Sequence, residues 1–136
     1  MKKIVLLLTL SLTLILPGCG NKNKKLVCTM YTAANDSITI EYEFKDGKAT
    51  KQTNTFIIPS VENEESYKSL ALQLNNYDGC TSTFEKITEN KYKLIETCDY
   101  SKLSDQNFEK VYATTKKDKM ISREQLIKAH EFMKCE

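Results

Sequence analysis

The chain has five cysteines, and their spacing indicates which chemistry they can perform. Cys19 stands near the N-terminus, and the other four are Cys28, Cys80, Cys98 and Cys135. No two are spaced as Cys-x-x-Cys, the arrangement typical of zinc knuckles and thioredoxin-type redox motifs. The four cysteines after Cys19 are even in number and well separated, which is typical of disulfides in an oxidising compartment. We therefore predict two structural disulfides, without a metal site or a cofactor.

The pairing of these four cysteines follows in part from a predicted β-hairpin. Cys80 begins and Cys98 ends two strand-like segments on either side of Glu89. A three-residue loop centred on Glu89 sets the two thiols directly opposite each other, close enough for a bridge. Cys28 then pairs with Cys135, which ties the first strand to the chain end. Four cysteines allow three connectivities, and a one-residue shift in the turn would separate Cys80 from Cys98.

The first 18 residues have the organisation of a secretory signal. Lys2 and Lys3 form a positive end, residues 4–16 are apolar, and the small Gly18 precedes the expected cut. The apolar run is too short to cross a membrane, which takes roughly 20 residues. We expect residues 1–18 to be removed during export.

The junction Leu16-Pro17-Gly18-Cys19 resembles the lipobox of bacterial lipoproteins, in which a Leu, two further residues and a Cys mark the cleavage site. The resemblance implies cleavage before Cys19 and a diacylglyceryl thioether on its sulfur. Two or three acyl chains hold a protein lastingly at a membrane. Residues 19–25 then form a lipid anchor and tether, on the extracytoplasmic face of the cell membrane. An ordinary secretory signal, with Cys19 lost or left as a free thiol, is the alternative.

The mature chain is electrically balanced. Loss of Lys2 and Lys3 lowers the 20 Lys and Arg residues to 18, which equals the 18 Asp and Glu residues. Because nucleic-acid-binding proteins need a basic surface that neutralises phosphates, we expect no nucleic-acid partner. Lys22, Lys24 and Lys25 are interpreted as part of a solvated tether, with contact to anionic lipid headgroups as the alternative.

Several segments after residue 26 have the two-residue period of β-strands. Apolar Ile38, Ile40 and Phe44 alternate with polar residues, which is typical of a half-buried strand. Asp46-Gly47 favours a two-residue hairpin turn, since both turn positions need positive φ. We expect strands over residues 26–34, 37–45, 48–58, 80–87 and 91–98.

Two amphipathic helices complete the predicted domain. Ser60 is expected to cap the first helix, and Ser122, with Gln125 in the capping-box position, to cap the second. Residues 101–119 carry signals of both helix and loop. We therefore predict one α+β domain over residues 26–136, a two-layer sandwich in which an antiparallel sheet carries two amphipathic helices on one face.

Five signals follow one another along the mature domain: Tyr42-x-Phe44-Lys45-Asp46-Gly47-Lys48-x-x-Lys51-Gln52-Thr53, the Ser60 helix, the Phe84 hairpin, Asp99-Tyr100-Ser101-Lys102-Leu103 and a C-terminal helix that opens at Ile121-Ser122. Their order bears a resemblance to the YehR-like family of small bacterial lipoproteins. It covers most of the mature domain. It implies a compact, exported and lipid-anchored α/β domain, and it brings no established activity.

The aromatic residues favour a binding module. Most of the seven tyrosines and five phenylalanines occupy positions that packing explains. Tyr31, Tyr100 and Phe108 do not, and we take them as candidates for a binding surface. The expected partners are the membrane, through the lipid anchor, and an unknown envelope protein or ligand.

An enzyme and a purely structural envelope component are the alternatives. His130 is the single histidine of the chain, and with nearby carboxylates it is the candidate base of a small hydrolase or metal-dependent enzyme. Its position at the edge of a packed helix face favours a structural role. Glu62, Glu64 and Glu65 fall near the start of a predicted helix, where negative charge interacts favourably with the helix dipole. We therefore assign no catalytic or metal-binding residue.

Overall fold

The computed structural model of the chain describes residues 25–32, 36–59, 61–112 and 122–136. The predicted signal peptide over residues 1–18, the lipidation site Cys19, tether residues 20–24 and Ser60 lie outside these ranges. Lys25, predicted to end the tether, is the first residue of a strand. Within the described residues the fold is α+β, with a six-stranded antiparallel sheet and three α-helices.

The sheet has the strand order β4-β5-β3-β2-β1-β6, so its edges are β4 and the short β6. Five of the six strands coincide closely with the predicted segments. The strands are β1 (Lys25–Tyr31), β2 (Ser37–Lys45), β3 (Lys48–Pro59), β4 (Cys80–Thr88), β5 (Lys91–Asp99) and β6 (Lys134–Cys135).

Two tight turns set the hairpin registers. At the β2–β3 turn, Asp46 and Gly47 have φ of 53° and 74°, as the Asp-Gly signal predicts. The β4–β5 hairpin has a two-residue turn and a bulge between Lys86 and Thr88. The bulge adds one residue on β4, and the register that results sets Cys80 opposite Cys98. The predicted register is therefore reached through a shorter turn and a bulge.

Two disulfides join the cysteines in the predicted pairs. Cys80 bonds to Cys98 across the β4–β5 hairpin, with a sequence separation of 18. Cys28 bonds to Cys135 across β1 and β6, with a separation of 107. The second bridge closes nearly the whole described chain, because it connects its first strand to its last.

The helices begin at polar caps. α1 (Glu64–Ala71) is capped by Asn63, whose side chain accepts from Ser66 N, so the helix begins later than predicted. A 3₁₀ helix over Leu72–Asn76 extends it. α2 (Asp105–Tyr112) occupies the segment whose sequence signals conflicted. α3 (Arg123–Ala129) has the predicted capping box of Ser122 and Gln125.

One side of the sheet, which we call the core face, carries the buried side chains of the strands. One buried cluster joins Leu126 of α3 to residues of β1 and β2, and another joins Phe108 of α2 to Cys80 and Cys98. The Ser82 hydroxyl of β4 donates to the carbonyl of Ala71 in α1 over 2.8 Å. All three helices therefore contact side chains of the core face. No helix in the described ranges has the length and apolar character needed to span a membrane.

Candidate functional site

Tyr100 and Phe108 lie in the hydrophobic core, so the prediction that they form a binding surface is wrong. Both side chains are buried, and their rings meet edge to face with centroids 5.2 Å apart. The backbone N–H of Tyr100 donates to the carbonyl of Thr50 over 2.9 Å, which holds the segment after β5 against β3. Because α2 follows within a few residues, Phe108 packs back onto this segment.

Tyr31 is the one candidate that stays at the surface, with 78% of its side chain exposed. It ends β1 and pairs with Ser37 of β2. Since side chains alternate along a strand, Tyr31 lies on the sheet side opposite to Cys28 and the core face. The structure therefore brings Tyr100 and Phe108 together in the core and keeps Tyr31 apart from them.

A chain of hydrogen bonds crosses the core face and ends at Glu96. The buried Tyr100 hydroxyl donates to Gln52 Oε1 over 2.6 Å, and Gln52 Nε2 donates to Asn54 Oδ1 over 2.7 Å. Asn54 Nδ2 then donates to Glu96 Oε2 over 3.5 Å. Each donor is directed toward the carboxylate, so the dipoles polarise one another in the same sense. We call these four residues the Glu96 relay.

Strand register explains why the members of the Glu96 relay meet. Asn54 of β3 lies directly opposite Glu96 of β5, although 42 residues separate them. Gln52 lies on the same face two residues before Asn54. Tyr100 reaches the relay from the turn that follows β5. The sheet thus positions three polar side chains in a region that hydrophobic residues otherwise fill.

The Glu96 side chain is half-buried and lines two cavities. The first has a volume of about 210 Å³ and is lined by Tyr67, Leu70, Ala71, Leu94 and Glu96. The second has a volume of about 160 Å³ and is lined by Asn54, Leu74, Glu96, Cys98, Val111 and Tyr112. Because both include Glu96, we call the pair the Glu96 cleft. Side chains of α1 line one part and side chains of α2 line the other.

Electrostatics distinguish Glu96 from the other carboxylates. Burial raises the pKa of the Glu96 carboxyl above its ordinary value, while the hydrogen bond from Asn54 acts in the opposite direction. The five ion pairs within the described ranges do not include Glu96. The carboxyl is therefore partly desolvated without a cationic side chain beside it in that part of the protein.

Sequence reasoning missed Glu96, although its strand contained a signal. The buried residues Tyr92, Leu94 and Cys98 follow the two-residue period of β5, and Glu96 occupies the same face. A carboxylate in register with core positions is unusual, because charged groups are seldom buried unless they are paired. This inconsistency between pattern and residue type is typical of functional sites.

His130 forms a second polar contact on the core face. Its Nε2 lies 2.7 Å from the hydroxyl of the buried Tyr42, and the two rings are stacked with centroids 5.8 Å apart. Burial lowers the pKa of the imidazole below its ordinary value. In the described ranges no hydrogen bond or ion pair joins His130 to a carboxylate. The alternative that His130 is the catalytic base of an enzyme stays an untested prediction.

The acidic residues at the start of α1 have local contacts. Glu64 and Glu65 lie in the first turn, and Glu64 Oε2 accepts a hydrogen bond from the Tyr92 hydroxyl over 2.8 Å. Across the described part of the chain, no group of three or more His, Cys, Asp or Glu side chains has the arrangement needed to hold a metal ion.

Comparison with protein-family models, with curated proteins and with solved structures finds no match to this chain in any of the three.

Proposed function

We propose that this protein is a lipid-anchored module of the bacterial cell envelope that binds a small ligand in the Glu96 cleft. The observation that carries the binding role is the half-buried Glu96 carboxyl on the wall of two cavities. A desolvated carboxylate with a perturbed pKa in a cleft is typical of binding and catalytic sites. Such a group opposes folding, and groups that break the rules of a well-packed core often lie at functional sites.

The proposal of an extracytoplasmic location rests on two features of the chain. Two disulfides suit an oxidising compartment, and the first 19 residues resemble a lipoprotein signal. The proposed arrangement is a two-layer domain, with the helices over the core face, held at the membrane by acylated Cys19. The likeness to YehR-like lipoproteins supports an exported α/β domain and adds nothing about the ligand.

The anchor is tested by substituting Cys19→Ser in the full chain. We expect the unsubstituted protein to incorporate radiolabelled palmitate and to fractionate with membranes. The serine variant should lose both properties, because it has no thiol for thioether formation. Equal fractionation of the two proteins, without label in either, would replace the lipoprotein assignment with ordinary secretion.

The binding role is tested by filling the cleft. Ala71 lines the first cavity, so Ala71→Leu occupies space that a ligand would need. Ser69→Leu adds the same side chain at an exposed position of the same helix and serves as the control. A small-molecule library is screened by thermal shift against the full acylated chain in detergent, since a ligand raises the Tm of the state that binds it.

The expected result is a set of compounds that raises the Tm of the unsubstituted protein and of the Ser69→Leu variant, but not of the Ala71→Leu variant. Compounds that stabilise all three proteins equally would bind elsewhere. That outcome, or the absence of any stabilising compound, would overturn the binding role of the cleft.

A further inference from the structure

The charge of the Glu96 cleft limits the ligands that it can accept. Among the described residues that line it, Glu96 is the only charged side chain, and the others are aliphatic, phenolic, amide or disulfide-bonded. Walls of low polarity screen a charge less than water does, so the carboxylate field extends into both cavities. An anionic ligand would be repelled. A neutral ligand would leave the carboxylate without a counter-charge.

The Glu96 relay leaves capacity for one more donor. Asn54 donates to Oε2 of Glu96, at a long distance of 3.5 Å. A carboxylate accepts several hydrogen bonds through its two oxygens, and it forms its strongest ones with cationic N–H groups. A ligand N–H can therefore donate to the Glu96 carboxylate, which Asn54 already orients. Gln52 donates to Asn54 and Tyr100 donates to Gln52, so both help to hold Asn54 in place.

The walls of the cleft indicate the remainder of the ligand. Leu70 and Leu94 form apolar surface in the first cavity, and Leu70 is 63% exposed at the protein surface. Tyr67 and Tyr112 contribute one aromatic ring to each cavity, and aromatic faces attract cations. The volumes of about 210 and 160 Å³ lie below the range of roughly 300–1,000 Å³ of drug-sized sites. The ligand is correspondingly small.

We propose that the Glu96 cleft binds a small protonated amine that carries a short apolar or aromatic group. The ammonium donates to the Glu96 carboxylate, and the apolar group packs between Leu70 and Leu94. A divalent cation is disfavoured, since hard cations require several oxygen ligands and Glu96 supplies the one carboxylate among the described lining residues. This inference rests on the proposed binding function, because it names the ligand class of the same site.

The test compares three probes that share one aromatic group, namely benzylamine, benzyl alcohol and benzoate. Each is titrated at pH 7.5 into the full acylated chain in detergent micelles, and binding is followed by ¹³C-methyl NMR of Leu70 and Leu94. We expect benzylamine to bind about tenfold more tightly than benzyl alcohol, since a charge-assisted hydrogen bond replaces a neutral one. Benzoate should not bind detectably.

Two isosteric variants assign the preference to the carboxylate. Glu96→Gln removes the charge in the cleft, and we expect it to abolish the tenfold preference for the amine. Glu109→Gln removes the same charge from an exposed position of α2 and should leave the preference unchanged. If Glu96→Gln does not fold, the comparison of amine with alcohol on the unsubstituted protein decides the question alone.

The outcomes separate this inference from the proposed function. Equal affinity for benzylamine and benzyl alcohol, with both lost in Ala71→Leu, would retain a binding cleft and overturn the amine specificity. A preference for the amine that survives Glu96→Gln would also overturn it. Failure of all three probes would overturn the amine specificity as well, while the library screen independently decides whether the cleft binds anything.

Discussion

The Tyr42 hydroxyl and Nε2 of His130 lie 2.7 Å apart, although 88 residues separate them in the sequence. Tyr42 is fully buried on β2, and His130 is the C-cap of α3. The contact therefore joins the last helix to the sheet, where Tyr42 shares a buried cluster with Leu126 of the helix and Leu26 of β1. It also holds the imidazole in an environment that favours its neutral form.

This contact predicts a loss of stability in acid. Burial lowers the pKa of His130 in the folded state below its unfolded value of about 6.5. Between the two values the unfolded state binds more protons, so the free energy of unfolding decreases as pH falls through this window. His130 is the single histidine, so ¹H NMR follows its titration without assignment. A midpoint at or above 6.5 would contradict the prediction, and His130→Gln should remove this part of the pH dependence.

The raised pKa of Glu96 predicts the opposite dependence of stability on pH. Burial raises the pKa of its carboxyl in the folded state, so the folded protein binds more protons just above pH 4.5. Stability contributed by the protonated form is lost as pH rises through the folded-state pKa. We expect Glu96→Gln to raise the Tm by about 3 °C at pH 7.5 and to have little effect near pH 4. A similar rise with Glu109→Gln would attribute the effect to net charge instead.

The two disulfides should differ in their contribution to stability. In the chain-entropy model, the bridge with a separation of 107 contributes about 5 kcal/mol and the bridge with a separation of 18 about 3 kcal/mol. Urea unfolding of the Cys28→Ala/Cys135→Ala and Cys80→Ala/Cys98→Ala double variants measures the difference. The reverse order would show that the shorter bridge supports native packing beyond its effect on the unfolded chain.

Two glycines offer a matched test of backbone strain against steric conflict. Gly47 and Gly79 have φ of 74° and 84°, a region that costs other residues about 1–2 kcal/mol. An added Cβ at Gly47 has no atom within 4 Å, whereas at Gly79 it would lie 2.5 Å from Lys102 Cβ. We expect Gly47→Ala to cost about 1 kcal/mol and Gly79→Ala at least twice as much. Equal costs in chemical denaturation would mean that the turn containing Lys102 moves freely.

Local signals in the sequence were sufficient for the strands and for one helix start. The alternation from Ile38 to Phe44, the Asp46-Gly47 turn and the capping box at Ser122 depend on residues within a few positions of each other. The predicted Cys80–Cys98 pair followed from the register of one hairpin, whereas Cys28 and Cys135 were paired because they remained. The first helix begins later than the sequence predicted, because Asn63 caps it and is followed directly by α1.

Tertiary structure decided which side chains are accessible and which polar groups meet. Phe108 has helical spacing with Val111 and Tyr112, but that spacing does not show what covers the helix face. Only the packing of α2 against the turn after β5 buries Tyr100 and Phe108. Glu96 meets Asn54 because β3 and β5 are adjacent in the sheet, although β4 precedes β5 in the chain. Helix-cap hydrogen bonds and the backbone φ of turns involve residues a few positions apart and can be read along the sequence. Burial and cross-strand contact depend on elements many residues apart, so the fold alone determined the Glu96 cleft.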